Sequence, residues 1–485
     1  MRIETGIYIG KEQSAADGWK ILLEQEKTPF RITTKPDCPV IVCERDTPPW
    51  MEEYLKAGGV MIVTGAQPAS LCFPVQYVGD ASLEEVDLAD FDRGKARVQS
   101  ICSIFDGKGR GKLTLHEKRL PKFDMHPDEF PVVLFEKIGD GGCWYTGVPM
   151  SALISVLGDT LRQTDSFSDF SERVVSVDKH HLLHVMRCLL VDAFTRQGLP
   201  YVHLGYYPDQ YQSLFAFRVD VDGIYGENLE LLSKAGKENG IPISFYVNQK
   251  MCEPEAEWLN KIDPFHDIGN HGVLHNLYTS LEDNRRNVGQ CRDWMNTKGI
   301  ENGPWYVAPR GMWNFNLHRA LAEEGYEFTS DFGFCIFGLP FYPYFNGERM
   351  QALQIPINPF STERAYAKAE EENGQLPTAP FVADYFIKSV EEQYTQGMPI
   401  ILYSHPQRFG PLSSQVFPQL KARVDSLNIW QTTLPEIYTW WSQRDAVQYS
   451  AEWTRDKLQI QGDIPEHMQV KTILGVGSAA RGCAG

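Results

Sequence analysis

Leu214-Phe215-Ala216-Phe217-Arg218-Val219-Asp220-Val221-Asp222-Gly223 is an apolar run that ends in two carboxylates and a glycine. A short run of this kind reads as a strand buried on both faces, as in a parallel sheet. Asp220 and Asp222 are two apart, so their side chains share one face where the strand ends. Two carboxylates so placed can share one cation, or act as ligand and base. Taken alone, they also describe a loop whose aspartates bond local amides.

Strands and helices alternate on either side of this run. Downstream, Leu229–Asn239 reads as a helix closed by Gly240, and Ile243-Ser244-Phe245-Tyr246-Val247 as the next strand. Amphipathic helices are predicted over Leu281–Lys298, Leu317–Glu324 and Val382–Thr395, and a late strand over Ile400–Tyr403. Repeating β–α units from Ser213 to about Arg444 predict a barrel rather than an open sheet. Barrels carry their chemistry where strands end, and the ionisable candidates here all follow strands.

Two further segments add imidazoles. Asp267-Ile268-Gly269-Asn270-His271-Gly272-Val273-Leu274-His275-Asn276 sets His271 and His275 four apart, with glycines that permit close backbone approach. With Asp222 they form a facial set of three ligands with open positions. Pocket histidines satisfied by the backbone are the plainer reading, and nearby His266 is expected to be scaffold. In Ile400-Ile401-Leu402-Tyr403-Ser404-His405-Pro406, His405 at a strand end suits general-acid work near neutrality.

Upstream, residues 1–150 read as a smaller α/β domain. Pro39-Val40-Ile41-Val42-Cys43 and Val60–Gly65 are buried-strand runs, separated by a helix over Trp50–Gly59. The pattern resembles flavodoxin-like or amidotransferase-like domains, without a Gly-x-Cys-x-Gly nucleophile segment or a GxGxxG. A structural, binding or partner-docking role is therefore expected. Residues 151–212 form a connector with one long helix over 172–197. Its His180, His181 and His184 lack the Glu of an HExxH motif and are read as structural. After the barrel region, 213–445, residues 446–485 are read as a hairpin followed by a mobile Gly/Ala-rich tail.

The 485 residues allow two or three domains, and a net charge of -17 argues against nucleic acid or an anionic membrane as partner. No apolar run is long enough for a transmembrane helix, and no signal-peptide pattern opens the chain. Ten cysteines without a CxxC pair fit reduced thiols, so a cytoplasmic setting is expected.

The three segments together resemble those of the NodB-homology polysaccharide deacetylases, a carbohydrate esterase family. The resemblance covers about residues 213–445. It implies a distorted (β/α) barrel and hydrolytic removal of an acetyl or other small acyl group from an N-acylated sugar or polysaccharide. By the same resemblance, Asp220 is the general base. Asp222, His271 and His275 hold one divalent ion, Zn²⁺ first, with Co²⁺, Ni²⁺ or Fe²⁺ also suited to a mixed N/O set. His405 protonates the leaving amine, and a backbone N–H near Gly311 helps hold the oxyanion. The family's third motif, Arg-x-Pro-x-Gly, is altered. Val307-Ala308-Pro309-Arg310-Gly311 places Val307 where the family has Arg, so Arg310 is the candidate to supply that guanidinium, to contact substrate, or to pair with Asp331. Trp305, Trp313 and Asn276 flank the motifs as candidate sugar contacts, with ordinary packing and turn-capping as the alternative. Val307 also leaves open a non-catalytic glycan-binding protein that keeps the fold.

Overall fold

The computed structural model describes residues 1–115, 128–155, 163–164, 172–173, 177–208, 210–223, 226–332, 335–358, 360–455 and 457–474. Two sheets organise them. In the larger, seven strands run in the order Leu353–Gln354, Phe328–Thr329, Trp305–Tyr306, Asp267–Asn270, Ile243–Val247, Ser213–Val221 and Ile400–Ser404. Every pairing is parallel, and Ile429–Gln431 also pairs with the start of Ser213–Val221. The sheet curls into a parallel seven-stranded half-barrel, consistent with the expected distorted (β/α) barrel.

Alternation along the central strand explains the layers. Leu214 and Ala216 face inward and pack with Tyr246, Val307, Phe328, Ile401 and Tyr403. Phe215, Phe217, Val219 and Val221 face outward and meet Leu229, Leu232, Phe386, Phe409 and Phe417 from the covering helices. With apolar groups on both faces, the run is buried throughout, as a parallel strand requires. Arg218 and Asp220 fall on the inner face by the same parity.

The barrel is closed by a thread rather than a strand. After Leu353–Gln354 the chain crosses to the Ile400–Ser404 edge. Asn358 N–H donates to Ile401 O at 3.1 Å, and Asn358 Oδ1 accepts from Ile401 N–H at 2.6 Å. Ser361 then bridges Tyr403 and caps the helix Thr362–Asn373 by accepting from Arg364 N–H.

The smaller sheet is built from the chain's start. Phe30–Ile32, Thr5–Ile7, Val40–Glu44, Val60–Thr64 and Gly141–Tyr145 are parallel neighbours in that order, and Val133–Ile138 and Gly109–Arg110 extend the edge antiparallel. A long ribbon of Gln76–Asp87 and Lys95–Asp106 leaves this sheet; the sequence reading did not include it. The expected helix over 172–197 begins at Lys179 and ends at Arg196. Glu172–Arg173 instead pairs with Gln163–Thr164, and 174–176 lie outside the described residues. Leu182, Met186, Leu189 and Phe194 of this helix pack with Trp19, Val42 and Ile62, so it covers the amino-terminal sheet.

Tyr449–Thr454 and Lys457–Gly462 form the expected hairpin. Residues 475–485, read as a mobile tail, lie outside the described residues. Val470–Ile473 returns to pair with Tyr201–Leu204. The nine cysteines among the described residues are free, and no helix among those residues is long and apolar enough to cross a membrane.

Candidate active site

Five of the six residues expected to serve catalysis or metal binding gather at the ends of three strands of the larger sheet. Asp220 and Asp222 close Ser213–Val221, His271 follows Asp267–Asn270, and His405 follows Ile400–Ser404. His275 Nε2 lies 3.6 Å from Asp222 Oδ2, and His405 Nε2 lies 3.7 Å from the same oxygen. The rings of His271 and His275 are 5.1 Å apart.

Asp220 is gripped by Arg218. Nε donates to Oδ1 and Nη2 to Oδ2, both at 2.7 Å, while Nη1 donates to Ser330 O at 2.8 Å. Neither side chain is exposed, so this is a desolvated fork pairing. Burial alone would raise the Asp220 carboxyl, but Arg218 and then His271 overcome it and hold it down to about 2. Each carboxylate oxygen keeps a second lone pair for other donors.

The loop bearing the two histidines is braced from three sides. His271 N–H donates to Val247 O at 2.9 Å, and Asn248 Nδ2 donates to the carbonyls of His271 and Gly272. Gly272 turns with φ +81°, where a Cβ would stand 2.5 Å from Asn287 Nδ2, so glycine is required. Asn287 Oδ1 accepts from Val273 and Leu274 N–H, both at 3.0 Å.

His271 Nδ1 lies 2.7 Å from Val307 O, so it carries the proton and leaves Nε2 as a free lone pair. Val307 thus contributes its carbonyl where its side chain carries no charge. Burial lowers His271; burial, followed by His271 itself, holds His275 down to about 4. Both rings are neutral near pH 7, as ligands must be.

His405 caps the helix Pro406–Asp425 from an extended backbone. Its Nδ1 faces Glu363 Oε2 at 2.8 Å. Burial would lower this imidazole, but the Glu363 carboxylate reverses the effect and pushes it up to about 9.

Among the described residues, no three His, Cys, Asp or Glu side chains are gathered tightly enough to hold a metal ion as they stand. Donors about 2.1 Å from a tetrahedral ion stand roughly 3.4 Å apart. The 3.6 Å separation of His275 from Asp222 is close to that spacing. His271 Nε2 is left free and both rings are neutral, the protonation state that metal ligation requires of imidazoles.

The remaining candidates lie elsewhere or play other parts. Arg310 is exposed, with φ +57°, and Arg218 rather than Arg310 holds Asp220. The N–H groups of Gly311 and Met312 donate within their own turn, to Ala308 O and Pro309 O, which leaves Gly311 unsuited to an oxyanion. Trp305 lies flat against Phe328, with Nε1 donating to Glu327, and lines a groove beside Asp267, where the next strand begins. Trp313 is 6% exposed, within the core that holds Trp19 and Phe341. Asn276 is exposed on the His275 loop. His266 is scaffold, with Nδ1 accepting from Ile243 N–H. His184 bonds Phe91 O and Arg93 in the amino-terminal core.

The sequence reading missed Arg218 and Glu363. Arg218 had a signal: a charged residue inside a buried apolar run needs a partner, and parity puts it beside Asp220. Glu363 had none, because only the crossing at Asn358–Ser361 brings it to His405.

Residues 221–329 match the family model for polysaccharide deacetylase. The matched stretch takes in Asp222, His271 and His275 and stops before Glu363 and His405. Over it, the barrel resembles that family at the level of fold. The chain is also similar to a Mycobacterium smegmatis protein described as a polysaccharide deacetylase, at 16% identity over 50% of this chain and 94% of that one, with a TM-score of 0.44. It is similar to a family 4 carbohydrate esterase from Streptomyces lividans, at 11% identity over 46% of this chain and 92% of that one, with a TM-score of 0.32. An allantoinase, PuuE, is 15% identical over 49% and 93%, TM-score 0.40. A search of curated proteins finds no match.

Proposed function

We propose that the chain is a metal-dependent hydrolase that removes an acetyl or other small acyl group from an N-acylated sugar or glycan. The observation that carries this reading is the meeting of His275 and His405 on one oxygen of Asp222, beside the Arg218–Asp220 pair. Asp222, His271 and His275 would hold the ion, which when bound acidifies a water and polarises the acyl carbonyl.

Asp220 is ionised throughout the neutral range and takes the proton of the attacking water. Arg218 keeps that carboxylate fixed and charged. A carboxylate held at about 2 is a weak base, so it works only on a water that is already acidified. His405 is protonated at neutral pH and presents Nε2 on the Asp222 side, while Glu363 holds Nδ1. It delivers a proton to the leaving nitrogen, which an amide requires because a free amide anion leaves too poorly.

The test is metal content and turnover on the same preparations. Wild type should carry about one equivalent of divalent ion and release acetate from N-acetylated sugars. His271→Ala should lose both, and Asp220→Asn should keep the ion while losing turnover. Protein that takes up no zinc, cobalt or nickel when offered them would end this reading.

A further inference from the structure

Trp305, picked out by the sequence as a sugar contact, lines a groove of about 540 Å³ that opens where the strand Asp267–Asn270 begins. His271 follows the other end of that strand. At about 3.3 Å per residue, Asp267 and His271 stand roughly 13 Å apart along it. The groove and the candidate active site thus lie at opposite ends of one strand. Its volume is in the range of sites for small organic ligands.

The wall of this groove is rich in acceptors and poor in donors. Asp263, Asp267 and Glu301 line it, with no lysine or arginine among the lining residues. Asp263 is neutralised by Lys237 at 2.6 Å. Asp267 differs: its Oδ2 is buried and has no hydrogen-bond partner among the described residues. Burial pushes this carboxyl up to about 6. The side-chain donors in the wall are already engaged. His266 Nε2 faces Ser233 O at 2.8 Å, and Trp305 Nε1 donates to Glu327 at 3.3 Å. Asn302 Nδ2 donates to both Asn296 Oδ1 and Ile300 O. Asn260 gives one N–H to Lys298 O and keeps the other. A ligand that fits these walls brings N–H and O–H donors of its own, and a positive charge makes the strongest pair with Asp267.

Trp305 adds a flat apolar surface. Phe328 lies along the indole, the two ring planes 15° apart. Gly303 lies against the same ring, where a Cβ would stand 2.5 Å from Cε2 and Cζ2. Glycine there leaves the indole uncovered. An indole attracts a cation and takes the apolar C–H face of a pyranose ring.

We propose that this groove is a second binding site, for an amino sugar with a free, protonated amine. The ammonium bonds Asp267, with exposed Glu301 as a second carboxylate, and the ring lies along Trp305. Ring hydroxyls donate to the side-chain oxygens of Asn260 and Asn302. Such a sugar is also the class of product that the proposed deacetylation releases. That link rests on the hydrolase reading, whereas recognition of the ammonium does not.

The test is calorimetric binding of glucosamine, glucose and cyclohexylamine to wild type, Asp267→Asn and Glu301→Gln. Glucosamine should bind tighter than either of the others by on the order of tenfold or more, and Asp267→Asn should bring it down toward glucose. Glu301→Gln, on an exposed side chain, should weaken glucosamine in the same direction, and it carries the test if Asp267→Asn fails to fold. Glucose or cyclohexylamine bound as tightly as glucosamine would overturn the inference. So would no binding of the three, or a glucosamine affinity that both variants leave unmoved. Acetate release from N-acetylated sugars and metal uptake, measured on the same wild-type protein, keep the two readings apart. Turnover without glucosamine binding would overturn the inference and leave the hydrolase intact. Glucosamine binding that Asp267→Asn abolishes, with neither turnover nor metal uptake, would uphold the inference and end the hydrolase reading.

Discussion

Arg218 holds Asp220 from two residues upstream on the same strand, a pairing for which the family resemblance had offered Arg310 as one candidate. The fork needs a planar group with two parallel donors, so lysine cannot reproduce it. Arg218→Lys is expected to lower kcat/KM by on the order of a hundredfold while the bound metal stays, as elemental analysis alongside kinetics would show. Arg218→Ala leaves a buried carboxylate unpaired and should cost about 3 kcal/mol or more in denaturant unfolding. In the proposed reaction Glu363 acts at the leaving-group end, through His405. His405 acts while protonated, so activity is present below its pKa of about 9 and is lost as pH rises through it. Without the Glu363 charge, burial prevails and the pKa falls. The alkaline limb of the kcat profile of Glu363→Gln should therefore move to lower pH by about one unit or more. An unmoved limb would show that another group sets it.

At the scale of elements, the helix Pro406–Asp425 carries Pro411 and Pro418 in its interior, and the prolines hid it from the sequence reading. Pro411 has no N–H for the carbonyl of Gln407 one turn earlier. Asn228 Nδ2 makes good that loss, donating to Gln407 O at 3.2 Å from the neighbouring helix. Asn228→Ala should destabilise the fold by about 1 kcal/mol, read as a lowered denaturation midpoint at unchanged slope. The central strand was legible because both its faces are apolar, and the helices after it because their stripes are regular. The start at Lys179 and the return of Val470–Ile473 were not legible, because each is fixed by a partner distant in sequence. The same holds in the site. Asp220, Asp222, His271, His275 and His405 stood out by spacing, whereas Glu363 depended on the path of the chain. The aromatic candidates differ: Trp313 turns into packing, while half-buried Trp305 stacks on Phe328 and lines a groove beside Asp267.

For the molecule as a whole, stability should depend on pH through the amino-terminal sheet as well as the barrel. Glu44 is 4% exposed, accepts from Thr64 Oγ1 and Ser151 N–H, and burial pushes its carboxyl up to about 8. A raised folded-state pKa means that its contribution is complete below about pH 4.5, the unfolded value, and is lost as pH climbs toward 8. Glu44→Gln should remove that loss. Its melting temperature relative to wild type should rise between pH 5 and pH 8 and level off above; a constant difference would mean that Glu44 is already ionised in the fold. The crossing at Asn358–Ser361 has a different consequence. Because a few backbone bonds stand where a full strand pair would be, this seam is the barrel's fuse. If it slips, Glu363 leaves with its helix and His405 loses its counter-charge, while Asp222, His271 and His275 stay in place. Amide exchange should then find Ile401 and Tyr403 opening before Val219 or Phe245, and, on the function proposed above, a molecule caught in that state would keep its metal ligands in place yet lose turnover.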